Sequence, residues 1–321
     1  MKNNQPGTIL EIKDLDINLG GKEIIKNVSL DIEENEIVGI VGVSGAGKTS
    51  LLNAIIGYYP ASKGKVNFRG GPGQDRVRIT DNPNMFKMIF GFSAQEPSFY
   101  PELTIKENLG YFASLYNMPA DLKKKSIEKA LNLVELQSHS NIEAMHLSGG
   151  MKKRLDIACA LVHNPRILIL DEPTSDMDPI LRIQIWELLE NINRQGTTII
   201  IASHFLSELE HFCDRMAFLH EGKLKFYGKT SVFKKKYSST KEVQLTAAEG
   251  KHAIVLKKIM GMPMIELRHS TEKSRRIVVH MDSKKPEIER ILSGLLSKEE
   301  IEDIEIRDPS LDTLFRMFLE K

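Results

Sequence analysis

Residues 42–49 read Gly42-Val43-Ser44-Gly45-Ala46-Gly47-Lys48-Thr49, followed by Ser50. This is the spacing of a phosphate-binding P-loop. Its glycines let backbone N–H groups turn inward around phosphate oxygens without interference from a Cβ. Lys48 has the reach for the outer phosphates of a nucleotide, and the Thr49 hydroxyl suits Mg2+. Residues 36–41 before the loop are a short apolar run suited to a buried strand, and residues 49–56 after it have helical character. Strand, loop and helix in that order set phosphates at the positive end of a helix. A Gly-rich turn with no ligand is the plain alternative, and it needs none of this context.

A second run completes a nucleotide site. After Arg166, residues 167–170 are apolar and lead into Asp171 and Glu172. An acid at a strand tip, paired with an upstream P-loop, belongs to the Mg2+ shell, which is the role expected of Asp171. Glu172, one residue on, points elsewhere and can polarise a water for attack on the γ-phosphate. The alternative is a strand ending in a solvated acidic turn.

The third run is Leu147-Ser148-Gly149-Gly150-Met151-Lys152-Lys153-Arg154, which opens a helix through Leu155, Ala158, Leu161 and Val162. Ser148 suits an N-cap, and the glycines expose backbone N–H groups at the positive end. Between a P-loop and an acidic strand, this run resembles the signature motif of the ABC ATPases. Over about residues 8–230 the chain is similar to the nucleotide-binding subunits of ABC transporters. Gln95 matches that family's Q-loop, Ser175-Asp176-Met177-Asp178 its D-loop, and His204 its switch histidine. Taken singly, each of these is a common surface or core polar residue; their order and spacing raise them together.

The resemblance implies a P-loop NTPase of the α/β class, with a RecA-like core, an antiparallel β-subdomain and a helical subdomain at about residues 96–163. It implies two such domains facing head to tail, as a homodimer or a heterodimer, with ATP between the P-loop of one and the signature of the other. The implied nucleotide-binding residues are Gly42 to Ser50, with Leu19 beside the base. The implied Mg2+ ligands are Thr49, Gln95 and Asp171. Glu172 would orient water, His204 would bridge it to the γ-phosphate, and Gln95 would sense a membrane partner. Ser148, Gly149, Gly150 and Met151 would close on the partner's nucleotide, with Asp178 in the D-loop near the seam. Three positions depart from the family pattern. Met151 stands where most members have Gln, and Leu19 where an aromatic stacks on adenine, so base selectivity is expected to be loose. Asp176 replaces a small D-loop residue.

Residues 95–109 look like the stretch found in exporter ATPase subunits whose membrane part is a separate chain. The expected function is thus an ATPase subunit driving export through a separate transmembrane permease, peripheral on the cytoplasmic face of the cell membrane. A soluble ABC ATPase acting on DNA or ribosomes is the first alternative. Those members carry paired domains or long coiled-coil insertions that residues 8–230 lack. A regulatory nucleotide switch is the second, and intact Glu172 and His204 argue against it. A net charge of +1 over 321 residues gives no bulk case for nucleic acid, and none is expected as a partner. Lys123-Lys124-Lys125 and Lys234-Lys235-Lys236 read as solvated faces or linker. Cys159 and Cys213 lack metal-ligand spacing and fit a reduced cytosolic protein. No N-terminal signal segment or apolar run of membrane-spanning length is read.

Residues 68–89, rich in Gly, Pro, Asp and Asn, read as an irregular hairpin or loop. Past Tyr237 the composition changes, dividing the chain into residues 1–237 and 238–321. The remainder reads strand 241–246, helix 250–260, strand 264–268, strand 276–281, helix 286–296 and strand 301–307, a ferredoxin-like α+β order. Ser310 then caps a last helix with Leu311, Leu314, Phe315 and Phe318 on one stripe. Dimer contact or regulation is the role expected of this part.

Overall fold

The computed structural model describes residues 7–70, 76–81, 83–237, 240–261, 265–273, 275–282 and 300–319. It divides into two compact units, Met1–Lys229 and Thr230–Lys321. The second unit begins earlier than the expected boundary after Tyr237. The helix α8 (Thr230–Tyr237) packs on the last helix, α10 (Leu311–Leu319), through an edge-to-face pair of Phe233 and Phe318 with ring centroids 5.6 Å apart. Phe233 is fully buried, so the helix stays with the aromatic it covers.

The first unit is built on two sheets. The smaller joins β1 (Thr8–Leu19), β2 (Lys22–Glu33), β4 (Lys63–Arg69) and β5 (Arg76–Arg78) in the antiparallel order β2-β1-β4-β5. The larger runs β10-β9-β3-β8-β7-β6, comprising β3 (Ile37–Val41), β6 (Phe90–Ser93), β7 (Ile167–Asp171), β8 (Thr198–Ser203), β9 (Arg215–His220) and β10 (Lys223–Gly228). Strands β3, β6, β7, β8 and β9 are parallel, and only β10 runs against its neighbour. Every residue of β3, β7 and β8 is buried, as expected for parallel strands covered on both faces. Their carboxyl ends therefore share one edge: Val41 pairs with Ser203, and Asp171 with Ala202. Ligands of open α/β sheets bind at that edge.

Helices α1 (Lys48–Ile55), α6 (Pro179–Arg194) and α7 (Leu206–Phe212) follow the central strands. Between β6 and β7 lies the helical subdomain: α3 (Ile105–Leu115), α4 (Ala120–Leu133) and α5 (Gly149–Leu161). A reciprocal capping box of Thr104 and Glu107 starts α3. The irregular hairpin or loop expected at 68–89 holds β5, which pairs antiparallel with β4, and the correction is the helix that follows, α2 (Pro83–Ile89). Phe86 and Ile89 bury into the β-subdomain core, and a proline's fixed φ suits a first helical turn. No helix among the described residues is long and apolar enough to cross a membrane.

In the second unit β11 (Thr240–Ala247), β12 (Ile265–Thr271), β13 (Arg276–Asp282) and β14 (Ile301–Arg307) pair antiparallel in the order β12-β13-β11-β14. Val243, Leu245, Ile277, Val279 and Met281 form its core with Val255 and Ile259 of α9 (His252–Met260). The helix expected at 286–296 lies outside the described residues.

Candidate functional site

The sheet edge collects the three sequence runs. After β3 the chain turns through the P-loop, with Ala46 N–H donating to Val43 O at 3.0 Å. Gly45 and Gly47 take positive φ values of 78° and 101°, which side-chain-bearing residues rarely adopt. Gly47 then serves as the N-cap of α1. Gly42 has a different duty. A Cβ there would lie 2.5 Å from the backbone O of Leu219, so the strand-to-loop exit closes only on a glycine. Val43, Ser44 and Gly45 are exposed, Ala46 is buried, and Ser50 is half-buried inside α1.

Lys48 Nζ donates to Gly42 O at 2.9 Å and stands 3.4 Å from Glu172 Oε1. Across the site, Glu172 Oε2 is 2.8 Å from His204 Nδ1 and accepts the His204 backbone N–H at 3.4 Å. The Thr49 hydroxyl donates to Asp171 Oδ2 at 2.6 Å. Lys48, Thr49, Asp171, Glu172 and His204 thus form one polar cluster at the carboxyl ends of β3, β7 and β8. Glu172 has φ 48° and donates its N–H to Ala202 O at 2.8 Å, which fixes its backbone against β8. Burial raises the Asp171 pKa from its ordinary value; the Thr49 hydroxyl opposes that shift and Glu172 adds to it.

The hard-oxygen pair of Thr49 and Asp171 fits a small divalent cation. Asp171 Oδ1 is buried and receives no hydrogen bond among the described residues, so a second acceptor is spare. Gln95 is exposed and is not hydrogen-bonded to this cluster among the described residues. Leu19 ends β1 opposite Lys22, and its half-buried side chain packs against the core cluster.

Ser148 caps α5, accepting from Met151 N–H at 3.4 Å. The two glycines after it differ. A Cβ on Gly150 would meet Leu181 Cδ2 at 2.9 Å, whereas one on Gly149 would meet nothing within 4 Å. Asp178 is the N-cap of α6 and accepts the N–H groups of Ile180 and Leu181 at 2.9 and 3.0 Å. Asp176 has φ 58° and is exposed.

One feature was not legible in the motifs. Lys153, buried in α5, donates to Ser93 Oγ at 3.1 Å and to Ala94 O at 3.3 Å, and lies 3.6 Å from Asp156 Oδ2. Asp156 Oδ1 accepts the Ser98 N–H at 3.0 Å. The signature helix therefore grips the backbone on both sides of Gln95. A buried lysine three residues after a glycine pair carries no pattern of its own.

A P-loop, a carboxylate pair and a histidine gathered at the carboxyl edge of a parallel sheet define a nucleotide triphosphate hydrolase. The profile of the ABC transporter family matches residues 25–175. The ABC transporter ATP-binding protein YdbJ of Bacillus subtilis is 36% identical, over 68% of this chain and 68% of its own length. The linearmycin resistance ATP-binding protein LnrL of Bacillus subtilis is 28% identical, over 92% of this chain and 93% of its own. A solved dimeric ATP-binding cassette, in a post-hydrolysis state with ADP and phosphate, is 27% identical with a TM-score of 0.59, covering 69% of this chain and 98% of that one. The chain belongs to the ATP-binding subunits of ABC transporters, and its chemistry is ATP hydrolysis.

Proposed function

We propose that this ATPase subunit couples ATP-driven closure of a dimer to export through a separate transmembrane permease, at the cytoplasmic face of the membrane. The observation that carries the reading is Glu172 held between Lys48 and His204, beside the Thr49–Asp171 pair. Backbone amides of residues 42–49 and the Lys48 ammonium bind the phosphates. Thr49 and Asp171, with Gln95 on closure, would hold Mg2+, which would supply neutralisation of the phosphate charge. Glu172 accepts a proton from the attacking water, and His204 fixes that carboxylate and reaches the γ-phosphate. Ser148 and Gly150, with Gly149 open beside them on the face of α5, take the γ-phosphate of the partner's nucleotide. Hydrolysis removes that contact, and the dimer opens.

Export rests on relatives such as LnrL, whose name records resistance to linearmycin. The second unit, read as ferredoxin-like from its strand order, is proposed to contribute dimer contact or regulation. The test is copurification from membranes with a multi-span protein, followed by ATPase assay of the complex. Recovery of the chain without a membrane partner, with its turnover intact, contradicts the transport reading.

A further inference from the structure

Around the switch histidine and the D-loop lies a second polar cluster that none of the catalytic roles above uses. Glu208 lies on α7 and is largely buried. Its Oε2 accepts from the Thr174 hydroxyl at 2.8 Å and from Trp186 Nε1 at 2.9 Å, and its Oε1 from Arg182 Nη1 at 3.1 Å. Arg182 is itself shared. Its Nε donates to Met177 O in the D-loop at 2.9 Å, and its guanidinium carbon sits 4.0 Å from the centroid of the Phe205 ring. Thr174 is two residues past Glu172, and Phe205 directly follows His204. Thr174 and Trp186 are inaccessible to solvent. Trp186 also stacks on Phe212 of α7, with centroids 4.6 Å apart and planes 3° from parallel.

One carboxylate and one guanidinium thus tie together the turn after β7, the D-loop, α6 and the switch segment. Each group fills a role that a neutral residue leaves open. Glu208 has three donors aimed at two oxygens. Arg182 uses the separate directions of its fork, one toward Glu208 and one toward Met177, while its face rests on Phe205. A cluster serving stability alone has no need to end on the two segments that carry Glu172 and His204.

We propose that Arg182 and Glu208 are positioning residues for hydrolysis: they lock the D-loop and the switch histidine to one another. A displacement of Met177 at the dimer seam is then transmitted to Phe205 and His204. This rests on the catalytic reading of Glu172 and His204.

The test uses the full chain. Turnover, KM for ATP and melting temperature are measured for Arg182→Lys, Arg182→Met, Glu208→Gln and the double variant R182M/E208Q, with Glu172→Gln and His204→Ala alongside. Arg182→Met and Glu208→Gln are each expected to lose about tenfold or more in kcat, with KM within about threefold. The double variant is expected to be no slower than the slower single, because both act through one contact. Arg182→Lys keeps the charge but loses the second donor direction and is expected to be intermediate. It is partly solvent-exposed and decides the matter if Glu208→Gln does not fold. Emission of Trp186, the single tryptophan, is expected to shift in Glu208→Gln, marking loss of its Nε1 bond. Wild-type kcat in any folded variant, KM rising in step with the loss of kcat, or losses that multiply in the double variant would overturn the proposal. If Glu172→Gln and His204→Ala turn over normally, the site reading fails; if they are inactive while Arg182→Met is not, only this inference fails.

Discussion

Glu172 Oε2 and His204 Nδ1 lie 2.8 Å apart, although the residues come from different strand ends. The contact follows from sheet register: Asp171 pairs with Ala202, so the residues just beyond both strand tips are neighbours. A positive φ at Glu172 turns its side chain into the edge rather than along the strand. Such a conformation at a non-glycine residue costs ~1–3 kcal/mol and persists where surrounding bonds over-determine it. Here the Glu172 N–H to Ala202 O bond does so. His204→Ala is expected to lower kcat by ~10²-fold, the scale of a lost positioning or proton-transfer group. ATP affinity should stay within about threefold, since Lys48 and the loop amides are untouched. Equilibrium binding and steady-state turnover on the same preparation check both halves.

The signature glycines separate packing from function. Gly149→Ala introduces a Cβ that meets nothing within 4 Å among the described residues, and alanine restricts the unfolded chain relative to glycine by ~0.4–1 kcal/mol. Its melting temperature is expected to equal or exceed that of the native protein, while ATP-driven dimerisation weakens by about tenfold. Gly42→Ala places a Cβ 2.5 Å from Leu219 O and is expected to destabilise by ~1–3 kcal/mol. Thermal melts and light scattering with ATP distinguish the two.

Stability should depend on pH through His163. Its ring stacks on Tyr116 at a centroid distance of 3.6 Å, its Nε2 contacts Phe90 O at 3.0 Å, and its Nδ1 is buried without a partner among the described residues. Burial lowers its pKa to about 4, below an unfolded value near 6.5. Below pH ~6.5 the unfolded chain binds a proton that the folded chain refuses, so stability falls as pH drops from ~6.5 toward 4. The whole effect is at most on the order of 3 kcal/mol. His163→Phe is expected to flatten the melting-temperature profile across that window; an unchanged slope counts against the assignment.

The second unit holds its own apolar core in Val243, Leu245, Val255, Ile259, Ile277 and Val279. A fragment of residues 230–321 is expected to melt cooperatively with a stability of only a few kcal/mol, about the limit for its size. A fragment starting at 238 lacks Phe233, the fully buried partner of the Phe318 ring, and is expected to be weaker by ~3 kcal/mol or more. Circular dichroism melts of both fragments decide between the two boundaries.

The P-loop, the Asp171–Glu172 pair and the signature run are legible in the chain because each needs particular residue types in a local order: glycines for turned-in amides, a hydroxyl beside the lysine, acids at an apolar run's end. Strands β3 and β7 are legible from their apolar runs on either side of the motifs. Helix α2 was hidden because its seven residues follow a Gly- and Pro-rich stretch and its burial is decided by Phe86 packing on Phe68, a tertiary contact with centroids 6.0 Å apart. The place of α8 was hidden for the same reason, since Phe233 meets Phe318 from the far end of the unit. Glu208 and Arg182 carry no motif. What joins them is the packing of α6 on α7, and that geometry is not written at any fixed spacing.

Glu172 is proposed to be the carboxylate that prepares water for attack on the γ-phosphate. The most direct test is turnover of Glu172→Gln, with its oligomeric state followed in ATP. Glutamine keeps the size of the side chain and one acceptor but cannot take the proton. Turnover is expected to fall by ~10²–10⁴-fold with ATP affinity retained, and a dimer that is transient in the native protein is expected to persist with ATP trapped in it. Turnover within about threefold of the native protein would mean that Glu172 is not that carboxylate.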